Sequence, residues 1–126
     1  MAHALTIRGG EIRLTVELDS GPTAEKLLSC LPFEARASLW GDEVYFRIPV
    51  SAGLEDGAHE VVEVGDVCYW PEGEAMCLFF GPTPASASDE PRAASAVTVL
   101  GKVTGGLEDI GRIASGETLI VEDAAG

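Results

Sequence analysis

Positive charge is scarce in this chain of 126 residues: eight Lys and Arg stand against 21 Asp and Glu, for a net charge of −13. Such a surface repels the phosphates of nucleic acids and the anionic leaflet of a membrane, so neither is an expected partner. Long hydrophobic runs are missing too. The longest mostly apolar stretches, such as Ala93 to Leu100, fall well short of the roughly 18 residues that a bilayer-spanning helix needs. Histidine and cysteine are few: His3 and His59, with Cys30, Cys68 and Cys77, supply neither a ligand set at metal spacing nor a disulfide framework. Metal chemistry and histidine-based catalysis are therefore hard to assemble, and free thiols are expected. That thiol content, with an N-terminus that has no basic start and apolar core of a signal peptide, leads to the expectation of a cytoplasmic protein.

What is present is the composition of an ordinary folded domain, 46% hydrophobic and 23% charged, with no internal repeat and no change of composition along residues 1–126. A single domain is expected. Leu5 to Arg8 and Glu11 to Leu18 flank Gly9-Gly10, and the second segment alternates Ile12, Leu14, Val16 and Leu18 with polar residues, the pattern of a β-hairpin with one buried face. Leu27, Leu28 and Leu31 then take helical spacing from Ala24 to Leu31, before Pro32. Two strands follow, Arg36 to Trp40 and Glu43 to Ile48, about Gly41-Asp42.

Beyond a loop from Pro49 to Gly57, Val61 to Trp70 resumes the strand pattern with an interruption at Gly65-Asp66. A turn at Pro71-Glu72-Gly73-Glu74 would set Trp70 opposite Ala75, Tyr69 opposite Met76 and Cys68 opposite Cys77, making Ala75 to Phe80 a buried strand. Gly81 to Ser95, with Pro82, Pro84 and Pro91, has the composition of a long surface loop. Strand Ala96 to Val103, a helix from Leu107 to Ala114 and strand Thr118 to Glu122 close the chain. Eight strands and two helices predict a mainly β fold, a closed eight-stranded barrel whose ends are capped by two short α-helices.

Residues Val97-Thr98-Val99-Leu100-Gly101-Lys102-Val103-Thr104-Gly105-Gly106-Leu107 resemble the strand and second helix of cyclophilins, which run apolar-Gly-Lys-Val-x-x-Gly-apolar. Together with Trp40-Gly41-Asp42-Glu43-Val44-Tyr45-Phe46, Gly65-Asp66-Val67-Cys68-Tyr69-Trp70-Pro71 and Leu78-Phe79-Phe80-Gly81-Pro82-Thr83-Pro84, the pattern is similar to a family of small prokaryotic cyclophilin-like proteins over nearly the whole chain. The resemblance implies a cyclophilin-like barrel with two capping helices. It also raises peptidyl-prolyl isomerisation, the lowering of a barrier of about 18–20 kcal/mol. Arg47, in Tyr45-Phe46-Arg47-Ile48-Pro49, resembles the strand that carries the cyclophilin arginine, and Phe79-Phe80 the aromatic pair of which one floors the proline pocket. Where cyclophilins place a Trp and a His before the Gly-Lys-Val, this chain has Arg92-Ala93-Ala94-Ser95-Ala96-Val97, and the Gln, Met and Phe of the isomerase site have no counterpart between Pro49 and Gly65.

These residues point first to a binding module with a degenerate isomerase site, holding a peptide or small molecule. The candidate ligand contacts are Trp40, Tyr45, Tyr69, Trp70, Phe80 and Thr83, beside the Pro82 to Ser95 loop. A minimal peptidyl-prolyl isomerase with Arg47 as its catalytic residue is the alternative. A homodimer formed through a sheet edge or aromatic patch is a third reading. No phosphate-binding fingerprint and no nucleophile elbow occurs, so no cofactor is implied.

Overall fold

The computed structural model describes residues 3–124. Alternation shapes its N-terminal hairpin: β1 (His3–Gly9) and β2 (Ile12–Leu18) bury Leu5, Ile7, Leu14, Val16 and Leu18 completely on one face. The hairpin turn is Gly10-Glu11, one residue beyond the expected Gly9-Gly10: Gly9 pairs with Ile12, and Gly10 takes the positive φ (54°) of the turn's first position. Helix α1 (Pro22–Ser29) starts and ends earlier than the leucine spacing predicts. Pro22 fits the first helical turn, and the Glu55 carboxylate accepts the Thr23 N–H at 2.9 Å, capping the helix from across the chain.

The remaining strands are β3 (Phe33–Arg36), β4 (Ser38–Leu39), β5 (Glu43–Arg47), β6 (His59–Val61), β7 (Asp66–Trp70), β8 (Ala75–Phe79), β9 (Arg92–Gly105) and β10 (Thr118–Asp123). They form one antiparallel sheet in the order β3-β10-β1-β2-β9-β7-β8-β5-β4, with β6 paired to β9. The sheet is mainly β as expected, yet it has ten strands and its ladder is open, which corrects the closed eight-stranded barrel. One of the two additional strands is β6, and the other arises at Ala37. Its N–H donates to the Glu117 carbonyl at 2.9 Å and its carbonyl accepts the Gly116 N–H at 2.7 Å, which extends the β3–β10 pairing; from Ser38 the chain pairs with β5 instead. One predicted strand thus becomes two, each serving an opposite end of the sheet.

The second capping helix is also corrected: Leu107–Arg112 is a 3₁₀ segment, with Asp109 N–H bonded to the Gly106 carbonyl and Ile113 N–H to the Ile110 carbonyl. Gly111, next to its last residue, weakens any α-helical continuation. The Pro71–Gly73 turn is a single 3₁₀ turn closed by Glu74 in the left-handed region, and β7 and β8 pair with Trp70 opposite Ala75, Tyr69 opposite Met76 and Cys68 opposite Cys77, the register expected from sequence. No helix among the described residues is long and apolar enough to cross a membrane.

Parity divides the strands between two cores. Val44, Phe46, Val67, Tyr69, Met76 and Leu78 face the main core with β1 and β2. Cys68, Cys77 and Phe79 face the other way, into a smaller cluster completed by Val62 and by Ala93 and Val97 of β9. The covering is possible because β9 is long: its first part pairs with β6, its second with β7 and β2. Strand β8 is therefore buried at all five positions.

Candidate functional site

A pocket of about 210 Å³ opens beside the smaller core. Strand β5 sends Glu43 and Tyr45 towards it, because both share the parity opposite to Val44 and Phe46. Trp40 precedes the turn into β5, its N–H donating to the Glu43 carbonyl at 3.0 Å. Trp70 enters from the end of β7 and Cys77 from β8, while Ala93, Ala94 and Val97 of β9 supply the remaining wall.

The aromatic part is fixed in place. The Tyr45 and Trp70 rings meet edge to face, with centroids 6.5 Å apart and planes at 82°. The Trp70 indole N–H donates to Ser95 Oγ at 2.7 Å, and that hydroxyl in turn donates to the Glu72 carboxylate. On its other side the indole rests against Gly73, where a Cβ would lie only 2.7 Å from the ring.

Glu43 is the unusual polar group. It is 5% exposed, and burial pushes its carboxyl from 4.5 up to about 7, against a smaller opposite effect of the neighbouring Cys77 thiol. No Lys, Arg or His among the described residues forms an ion pair with it. Burial pushes the Cys68 and Cys77 thiols upward as well, with the negative charge of Glu43 adding to both shifts, so both cysteines are protonated and poor nucleophiles.

Of the residues singled out from sequence, Trp40, Tyr45 and Trp70 come together in this pocket. Tyr69 faces the main core, where its hydroxyl donates to the Val50 carbonyl at 2.7 Å and accepts the Ala52 N–H at 3.3 Å. Phe80 packs against the same core near Gly111. Thr83 ties down the 81–91 loop: its hydroxyl donates to the Arg92 carbonyl and accepts the Ala85 N–H. Glu90 stabilises the same loop by accepting the Ala87 and Ser88 N–H groups, each at 2.8 Å, and these bonds lower its carboxyl to about 2. Arg47 lies outside the pocket, its side chain 79% exposed and paired with Glu74 at 2.9 Å.

Sequence reasoning passed over Glu43 and Cys77 as site residues. The available signal was the unbroken apolar run Ala75 to Phe80, which marks a strand covered on both faces and so makes its neighbour's second face an interior one. A second, open groove of about 780 Å³ carries Glu17, Asp19, Glu63 and Asp66, with Lys102 bonded to Glu63 at 2.9 Å and to Asp66 at 3.3 Å. Among the described residues no group of three His, Cys, Asp or Glu side chains is placed to hold a metal ion.

A mainly β, antiparallel fold with a small aromatic pocket on its second face defines the class to which comparison can be made. The cyclophilin-like family model matches residues 3–122, and the chain belongs to that family. The solution structure of the hypothetical protein AF2241 from Archaeoglobus fulgidus is similar to it, with 39% sequence identity, a TM-score of 0.83, and coverage of 98% of this chain and 95% of that one. No curated protein matches.

Proposed function

We propose that this cyclophilin-like protein is a binding module that holds a compact small molecule in the pocket of Trp40, Tyr45 and Trp70. The observation that carries the reading is the convergence of three aromatic side chains and one buried carboxylate on a single cavity. Apolar walls with a few placed polar groups are the usual composition of a ligand site. At about 210 Å³ the pocket is smaller than the roughly 300–1,000 Å³ of drug-sized sites, which favours a compact ligand or one side chain of a peptide. Arg47 is not among the pocket residues, so binding is favoured over prolyl isomerisation.

The chain has two tryptophans, and both line the pocket, so intrinsic fluorescence reports its occupancy. A titration with a panel of compact amines, alcohols and amides should give saturable changes that Tyr45→Ala and Trp70→Ala weaken by at least about tenfold. Absence of any saturable response across the panel would overturn the reading.

A further inference from the structure

We propose that the pocket selects an organic ammonium: a compact alkylammonium whose charged head pairs with the Glu43 carboxylate among Trp40, Tyr45 and Trp70. The inference rests on the reading of this cavity as a binding site. Glu43 is the one carboxylate of the lining, and no cationic side chain accompanies it. Beside it in the lining is the thiol of Cys77, a weak donor that compensates a buried anion poorly. A ligand cation supplies what the protein does not.

The rest of the lining agrees. Aromatic faces carry negative quadrupole charge and attract ammonium groups, most strongly in a desolvated pocket. Two N–H groups of the lining are already engaged, the Trp70 indole N–H with Ser95 and the Trp40 backbone N–H with the Glu43 carbonyl. A net charge of −13 draws cations to the whole surface. An acid is repelled by Glu43, and a neutral alcohol gains only a hydrogen bond.

The experiment compares isobutylammonium with its neutral isostere isobutanol at pH 8 and low salt, by tryptophan fluorescence and calorimetry, in wild type and in Glu43→Gln. The inference predicts that wild type binds the ammonium at least about tenfold tighter than the alcohol. In Glu43→Gln that preference should shrink to within about twofold, with circular dichroism and the urea unfolding midpoint showing that the variant is folded. Equal affinities in wild type, or an ammonium preference that survives in Glu43→Gln, would overturn the inference and leave the binding-module reading standing. If isobutanol binds and isobutylammonium does not, the charge assignment is wrong. If neither binds, the cavity is not a site for compact ligands, and both fall.

Discussion

The Glu43 carboxyl of β5 and the Cys77 thiol of the adjacent strand β8 line the same aromatic pocket, and each shifts the other's ionisation. Burial raises the carboxyl and the neighbouring thiol only partly offsets the rise, so burial fixes the sign of Glu43's contribution to the pH dependence of stability.

Glu43 ionises near 4.5 in the unfolded chain and near 7 in the folded one. Below about pH 4.5 it is protonated in both states and contributes nothing to pH dependence. Between 4.5 and 7 the unfolded chain gives up the proton while the native state keeps it, so this group makes stability fall as pH rises; above 7 the loss is complete. The groups facing Glu43 are Cys77 of β8 and Cys68 of β7, both protonated throughout this range. Urea unfolding should therefore show Glu43→Gln more stable than wild type at pH 8, by up to about 3 kcal/mol, and close to it at pH 4.5. An equal difference at both pH values would contradict the assignment.

The three thiols should differ in reactivity. Cys68 and Cys77 are buried with raised pKa values, whereas Cys30 is partly exposed. A chromogenic disulfide reagent at pH 8 should titrate one thiol in the native protein and all three in denaturant. Rapid modification of Cys77 would mean that the pocket floor is open.

Tyr69 has a structural task. Tyr69→Phe removes a hydroxyl that serves both the Val50 carbonyl and the Ala52 N–H, at a cost of about 1–3 kcal/mol. Ligand affinity at the Trp70 pocket should change by less than about twofold, because Tyr69 faces the opposite core. A large loss of affinity with little loss of stability would place Tyr69 in the site.

Arg47 and Glu74 form an exposed ion pair, and breaking it with Arg47→Ala should change stability by less than about 1 kcal/mol. Exchange spectroscopy on short X-Pro peptides should show no acceleration by wild type and no difference in the variant. Acceleration by wild type that disappears in Arg47→Ala would establish a prolyl isomerase.

Local chemistry was legible in the sequence where neighbouring residues decide the structure. The register from Trp70–Ala75 to Cys68–Cys77 follows from the short turn at Pro71-Glu72-Gly73-Glu74, and the buried faces of β1 and β2 from strict alternation. Long-range choices were hidden. Whether the segment around Ala37 stays with β10 or turns to β5 depends on hydrogen bonds to Gly116 and Glu117, far along the chain. Strand β6 has three exposed residues and no apolar period to reveal it, and the start of β9 lies in an Ala- and Ser-rich stretch that has the composition of a loop. The site was half visible for the same reason: Trp40, Tyr45 and Trp70 stand out as aromatics, while Glu43 becomes unusual only once β9 covers the face it shares with Tyr45.

The central claim, that the aromatic pocket is the ligand site, is tested most directly by mapping backbone amide shifts while the protein is titrated with isobutylammonium and, separately, with isobutanol. The account predicts saturable shifts centred on Trp40, Tyr45, Trp70, Ala93 and Val97. Shifts centred instead on the Glu63 and Lys102 groove, or no saturable shifts with either compound, would contradict it.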